Sequence, residues 1–145
     1  ILENVWGPKR FLFFYLVCGL GAAACHLAVN AITWQNMMEA WNAGDMESAL
    51  KYRSGLAPVL GASGAVMGIF AAFAYLFPNT ELFIMFIPVP VKAKWAILGM
   101  AAIDIFGGIG TFGGTGIAHF AHLGGALTGF ILVLIWNKTM KKRFY

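Results

Sequence analysis

FLFFYLVCGLGAAACHLAVNAIT, residues 11–33, contains no charged side chain. A helix needs about 20 mostly apolar residues to cross the hydrocarbon core of a bilayer, and this stretch is long enough. The rest of the chain has a similar character. Of its 145 residues, 60% are hydrophobic and 11% are charged, whereas a soluble domain carries about 25% charged residues. The sequence therefore predicts an all-α protein that lies in a membrane.

Further apolar stretches complete a set of four predicted spans: 58–77, 95–108 and 117–136. Pro58 suits the first turn of a helix, and Pro78 ends the second span because proline cannot continue one. The third span is short and carries Asp104. Together the four spans predict a polytopic transmembrane helix bundle, formed as one domain over residues 1–145.

The connections between the spans differ in composition. Residues 35–57 are polar and residues 107–116 are rich in glycine, so both are predicted to be loops on the outer side. Residues 79–93 are apolar but contain Pro88 and Pro90, which a regular spanning helix excludes. This connection is therefore predicted to lie along the membrane interface.

The basic residues are unevenly distributed if the spans alternate in direction. Eight of the ten lysines and arginines then lie on one side of the membrane, together with Trp6, Trp95 and Trp136. Basic residues are enriched in cytoplasmic segments, and tryptophan at membrane interfaces. This side, which includes the C-terminus, is predicted to be cytoplasmic.

Two residues that can carry chemistry are predicted at the outer ends of two spans. Ser63 stands in Gly61-Ala-Ser-Gly64 at the start of the second span, and His122 stands near the start of the fourth. A serine among small residues often serves only helix packing, whereas an ionisable side chain within a membrane is costly and usually functional. Because both are expected at one depth, they can act as nucleophile and base.

Small residues give these two spans a reason to meet. Gly64 and Gly68 are four positions apart in the second span, and Gly125 and Gly129 share a helix face with His122 in the fourth. Such small faces allow membrane helices to approach closely. We therefore expect these glycines to pack the two helices together.

The two motifs together resemble the signature of the rhomboid intramembrane proteases. GASG at 61–64 opens one span and AHLGGALTG at 121–129 lies in the last, while LENVWG at 2–7 and IPVPVKAKW at 87–95 are also similar to bacterial members. The family core has six spans, so the resemblance implies that this chain supplies the third to the sixth. It implies further spans upstream of Ile1, and a bacterial plasma membrane.

The resemblance implies a serine endopeptidase that cleaves transmembrane segments of other proteins, with Ser63 as nucleophile and His122 as base. The N-terminal end of the Ser63 helix, with Gly61 and Gly64, would help to stabilise the oxyanion. Met67 stands where the family often has an aromatic residue against the catalytic imidazole. The expected partners are substrate membrane proteins and the lipid bilayer, with no cofactor, metal or nucleic acid.

Other polar residues receive structural interpretations. His26 and Asn30 match the H-x-x-x-N motif that the family carries in an upstream span, and are expected to form a structural pair. Asp104 would complete a triad, but the family works with a dyad, so a bond to a neighbouring helix or loop is expected. His119 is expected to form a hydrogen bond close to the dyad. It is spaced to share a metal with His122, yet no third ligand lies nearby in the sequence.

Two other functions stay open. A non-catalytic rhomboid-like protein would bind transmembrane segments without cleaving them, but such relatives usually lack the serine or the histidine. A small transporter or channel subunit would need polar residues at several depths of the membrane.

Overall fold

The computed structural model describes residues 1–56, 62–83, 88–108 and 116–140. These ranges are almost entirely helical, which confirms the predicted all-α bundle. The elements in chain order are α1 (Leu2–Trp6), α2 (Pro8–Asn42), α3 (Met46–Gly55), α4 (Ser63–Leu76), β1 (Glu81–Leu82), β2 (Val91–Lys92), α5 (Ala93–Gly108) and α6 (Gly116–Met140).

The longest helix, α2, extends well beyond the span predicted at 11–33. It has 35 residues, which corresponds to a length of about 52 Å, against about 30 Å for the hydrocarbon core. Pro8 at its first turn suits a helix start. Of the described helices, α2 and the segment His119–Thr139 of α6 are long and apolar enough to cross a membrane. The helices α4 and α5 are shorter, with 14 and 16 residues.

The outer loop predicted at 35–57 is instead mostly helical. Residues 34–42 contain no glycine or proline, so nothing in their backbone stops α2 at the membrane surface. The chain then turns at Gly44, where φ is 76°, a value that glycine adopts without strain. Asp45 caps α3 by accepting a hydrogen bond from the Ser48 N–H at 3.1 Å.

Glycines hold α4 and α6 in backbone contact. A side chain on Gly125 would collide with the carbonyl oxygen of Gly64, and one on Gly129 would collide with the backbone of Gly68. The glycines predicted to pack these helices are therefore at their interface. The two contacts are one helical turn apart on each helix, so the helices run closely alongside one another.

The third side of this core is formed by α2. A Cβ atom on Gly68 would lie 2.5 Å from the Cys18 Sγ atom, and one on Gly124 would collide with Cys25. Cys18 is fully buried. Both cysteines therefore act as small packing residues between helices, as expected for free cysteines in an apolar core.

An aromatic cluster closes the bundle at the end opposite Ser63. The ring centroid of Trp6 lies 4.8 Å from that of Phe14 and 5.3 Å from that of Trp136. Trp6 and Trp136 thus pack against each other, whereas Trp95 is 61% exposed. The Trp6–Trp136 contact joins α1 to the end of α6, and Phe14, whose ring centroid lies 5.7 Å from that of Trp136, joins the start of α2 to the same place.

The connection predicted along the membrane interface at 79–93 contains a short hairpin that the sequence did not predict. Glu81 pairs with Lys92 and Leu82 pairs with Val91 in an antiparallel ladder. The Ala93 N–H also donates to the Thr80 carbonyl at 2.8 Å. Backbone hydrogen bonds between its two arms therefore link the end of α4 to the start of α5.

Candidate active site

The close contact of α4 and α6 brings Ser63 to His122. The Ser63 Oγ atom lies 3.0 Å from the His122 Nε2 atom, although the residues are 59 positions apart in the chain. Ser63 is the first residue of α4 and is exposed, while His122 is half-buried on the first half of α6. A hydroxyl and an imidazole at this distance form the hydrogen bond that a serine nucleophile and its base require.

The start of α4 also presents backbone donors beside the Ser63 hydroxyl. Among the described residues, the first backbone hydrogen bond at this helix start runs from the Val66 N–H to the Ala62 carbonyl at 3.0 Å. The N–H groups of Ser63 and Gly64 precede it and point out of the helix end, where the helix dipole favours negative charge. Gly61, which was also expected near the oxyanion, lies outside the described residues.

A carboxylate completes the arrangement on the other side of the imidazole. The Asp104 Oδ1 atom lies 3.1 Å from the His122 Nδ1 atom and 2.8 Å from the His119 Nδ1 atom. Asp104 belongs to α5 and is buried, with 5% of its surface exposed. A buried carboxylate needs such partners, because an unpaired charge in this environment is costly.

The shared carboxylate determines where each imidazole carries its proton. An ionised carboxylate only accepts hydrogen bonds, so both histidines donate from Nδ1. The Nε2 atom of neutral His122 is then left without a proton and accepts the Ser63 hydroxyl. The chain of bonds runs from Ser63 through His122 to Asp104, in the order that a serine hydrolase uses.

Gly107 gives His119 its place in this cluster. A Cβ atom on Gly107 would lie 2.6 Å from the His119 Nε2 atom, so the ring rests directly on the backbone of α5. Gly107 is three residues after Asp104 and lies on the same helix face. This face of α5 therefore seats the ring of His119 and binds its Nδ1 atom at the same time.

The other expected site residues that the structure describes lie on α4 and α6, beside or below the Ser63–His122 pair. His119 does form a hydrogen bond beside the Ser63–His122 pair, and Gly64 lies at the helix contact. Met67 is buried in α4, with 4% of its surface exposed. The central part of the glycine-rich loop expected at 107–116, residues 109–115, lies outside the described residues.

Asp104 does bond a neighbouring helix, but its link to the candidate base was not predicted. The signal was present, because Asp104 is the only acidic residue within the four predicted spans. An acid in that position needs a partner and usually a function. His26 and Asn30 form a separate pair on α2, with 2.9 Å between the His26 Nε2 and Asn30 Nδ2 atoms.

Comparison with known proteins identifies the family. Residues 1–138 match the rhomboid domain. The chain belongs to the rhomboid family. The resemblance of the two motifs to this family is thereby confirmed, and the chain is an integral, multi-pass membrane protein.

Several curated rhomboid proteins are similar to it. It is 36% identical over 86 residues to the mitochondrial Rhomboid protein 1 of Saccharomyces cerevisiae, covering 59% of this chain and 24% of that protein. It is 35% identical over 142 residues to the human mitochondrial presenilin-associated rhomboid-like protein, covering 94% of this chain and 32% of that protein. It is 32% identical over 141 residues to the mitochondrial RHOMBOID-like protein 12 of Arabidopsis thaliana, covering 96% and 38%.

The aligned part is thus well under half of each relative's length. No solved structure matches the chain. The names of these relatives place them in mitochondria, so the comparisons give no support to the bacterial plasma membrane expected from the sequence.

Proposed function

We infer that the protein is a serine endopeptidase that cleaves transmembrane segments of other membrane proteins. The observation that carries this inference is the 3.0 Å distance between the Ser63 Oγ and His122 Nε2 atoms at the start of α4. Neither a non-catalytic binder of transmembrane segments nor a channel subunit has a use for this contact. The Asp104 carboxylate on the far side of the same imidazole supports the same reading.

In the first half of the reaction, His122 Nε2 takes the Ser63 hydroxyl proton while Oγ attacks the carbonyl carbon of the scissile peptide bond. The carbonyl oxygen becomes an anion, and the N–H groups at the start of α4 stabilise it. Asp104 stabilises the imidazolium that has formed. His122 then gives its proton to the departing amine, the C–N bond breaks, and the substrate's acyl group stays on Ser63.

In the second half, water takes the place of the amine. His122 Nε2 accepts a proton from the water as its oxygen attacks the acyl carbon, and the bond to Ser63 Oγ breaks as Oγ takes the proton back. The products are the free Ser63 hydroxyl and a new carboxylic acid, which ionises to the carboxylate by releasing its proton to water. Ser63 is the first residue of α4, and hydrolysis requires that water reach the acyl group at this end of the helix.

The site lies at one end of the bundle, which supports an orientation. His122 precedes Trp136 by fourteen positions, or about 21 Å along α6, and the basic residues Lys9 and Lys138 belong to the far end with the aromatic cluster. Because basic residues are retained on the cytoplasmic side, or its topological equivalent, Ser63 faces the opposite side. A substrate helix reaches it from the lipid near that surface.

The test is cleavage of a model transmembrane substrate by the full-length protein in liposomes. Ser63→Ala removes the nucleophile, and we expect cleavage to fall to background. Ser54→Ala is a matched control, since Ser54 is exposed on α3 and donates a hydrogen bond to the local carbonyl of Lys51 at 2.7 Å. Cleavage by Ser63→Ala at the rate of the Ser54→Ala control would refute the proposal.

A further inference from the structure

Three metal-binding side chains converge on one point between α5 and α6. The Nδ1 atoms of His119 and His122 lie 2.8 and 3.1 Å from the Asp104 Oδ1 atom, and the three potential ligand atoms all lie within 4.8 Å of one another. A metal was not expected because the sequence shows no third ligand near the two histidines. In the folded chain Asp104 of α5 supplies that ligand.

We propose that Asp104, His119 and His122 form a binding site for a zinc-like divalent cation, and that the bound ion switches the protease off. The second half of this proposal rests on the proteolytic function proposed above; the first half does not. Two imidazoles, one carboxylate and an open fourth position are a ligand set that Zn²⁺ uses in proteins. The cluster contains that set on two packed helices.

The ligand spacing is close to what an ion needs. With bonds of about 2.1 Å, ligand atoms around tetrahedral zinc are about 3.4 Å apart. The two bonded pairs at 2.8 and 3.1 Å need to separate by about 0.3–0.6 Å, and the two histidine ligand atoms, which lie within 4.8 Å of each other, need to adopt the same spacing. Gly107 holds the His119 ring against α5, so little conformational freedom remains to be lost when an ion binds.

The burial of the three side chains favours both binding and access. The Asp104 side chain is 8% exposed, while those of His119 and His122 are 28% and 30% exposed. The carboxylate therefore offsets part of the ion's charge from the buried side. The ion enters from the side of the histidines, where a water molecule fills its fourth position.

Binding at Nδ1 reverses the hydrogen bond to Ser63. A neutral imidazole that coordinates a metal through Nδ1 carries its proton on Nε2. Each ring thus loses a proton from Nδ1 and gains one on Nε2, with no net exchange with the solvent. His122 then donates to the Ser63 oxygen and has no lone pair to take the hydroxyl proton. Turnover stops, while the surface that binds a substrate helix is unchanged.

The binding half is tested with Co²⁺, whose absorption bands report tetrahedral coordination. The protein is the full-length Ser63→Ala variant, so no proteolysis is needed. We expect one Co²⁺ per chain, and at least about tenfold weaker binding after His119→Ala or Asp104→Asn, since even loss of a residue behind a metal ligand costs 10–100-fold. His26→Ala, which removes a histidine outside the cluster, should bind as tightly as the parent. Thermal unfolding establishes that each variant is folded.

Absence of Co²⁺ binding in the parent, or equal binding by the folded His119→Ala and Asp104→Asn variants, would overturn the metal site.

The inhibition half is tested by adding Zn²⁺ to the cleavage assay, with each rate divided by the same variant's metal-free rate. We expect kcat to fall with KM unchanged, a chelator to restore the rate, and His119→Ala to need at least about tenfold more Zn²⁺.

The two proposals fail in different ways. A full-length protein that binds Co²⁺ but never cleaves substrate refutes the proteolytic function and keeps the metal site. A protein that cleaves substrate but binds no Co²⁺ refutes the metal site and keeps the proteolytic function. Cleavage that is unchanged when the site is saturated with Zn²⁺ overturns the switch.

Discussion

Gly125 of α6 lies against the backbone of Gly64 in α4, one residue after Ser63, so closely that a Cβ atom on Gly125 would overlap the Gly64 carbonyl oxygen. Gly125 is also three residues after His122, on the same face of α6. The glycine contact and the Ser63–His122 hydrogen bond are therefore formed at the same place. The approach of the two helices sets the distance between nucleophile and base.

The first prediction follows from this contact. Gly125→Val should push α6 away from α4, and a displacement of about 1 Å at a reacting pair can cost on the order of 100-fold in rate. We expect kcat to fall by about that factor, with about 1–3 kcal/mol lost from the free energy of unfolding through overpacking. Cleavage kinetics and chemical denaturation measure the two effects.

Gly99→Ala is the matched control for Gly125→Val. Gly99 lies on α5, and an added Cβ atom meets nothing within 4 Å. This change should keep the cleavage rate and raise stability slightly, by about 0.5–1 kcal/mol, because alanine favours the helix. Wild-type kcat in Gly125→Val would show that the helix contact does not position the pair.

A second prediction concerns Gly124. On sequence grounds its substitution should be milder than that of Gly125, because it lies about 100° around the helix. The structure adds a cost at Gly124, which faces α2, since an added Cβ atom would collide with the Cys25 side chain; the contact of Gly125 with the Gly64 backbone is still closer. Gly124→Ala should therefore cost about 1–3 kcal/mol of the free energy of unfolding.

A swap of small residues tests this contact. Cys25→Gly removes the Cβ atom that the new alanine would meet, so the double variant Gly124→Ala with Cys25→Gly should be more stable than the sum of the two single changes predicts. Such non-additivity is the mark of residues in contact. Strictly additive free energies of unfolding would mean that α2 and α6 do not meet here.

A third prediction concerns the carboxylate behind the imidazole. A purely structural role for Asp104, as expected from the sequence, predicts that Asp104→Asn retains most activity. The 3.1 Å distance to the His122 Nδ1 atom leads to the opposite expectation, because an amide no longer fixes the tautomer or stabilises the imidazolium. We expect kcat to fall by about 10²-fold, the lower end of what proton transfer by a positioned side chain contributes, with KM little changed.

Asp45→Asn is the control for the change at Asp104. Asp45 is an exposed acid that caps α3, where an asparagine caps almost equally well, so its kcat should equal that of the wild type. If Asp104→Asn also keeps the wild-type kcat, the carboxylate only joins α5 to α6, and the site works as a simple dyad.

The pairing of Ser63 with His122 was predictable because each residue stands beside glycines on its own helix, and local spacing determines which residues share a face. The link from Asp104 to His122 was not predictable in this way. It depends on how α5 is rotated about its axis against α6. Moving a side chain by one position along a helix turns its direction by about 100°. The contact between Gly107 and the His119 ring also depends on the rotation of α5 against α6, so no sequence pattern predicts it.

The error at residues 35–57 has a different cause. Hydropathy marks where a chain leaves the bilayer, but a helix does not have to end there. The polar residues after Thr33 keep good helical propensity, so α2 continues to Asn42 before Gly44 allows the turn into α3. Composition distinguished an apolar segment from a polar one, yet it could not assign the polar segment's secondary structure.

The roles of Ser63 as nucleophile and His122 as base are tested most simply by covalent labelling with a small fluorophosphonate, whose site is mapped by mass spectrometry in the full-length protein. We predict phosphonylation of Ser63 in the wild type and in His26→Ala, and its loss in His122→Ala, because only the His122 imidazole removes the hydroxyl proton. Labelling of Ser63 at the wild-type rate in His122→Ala would contradict this account.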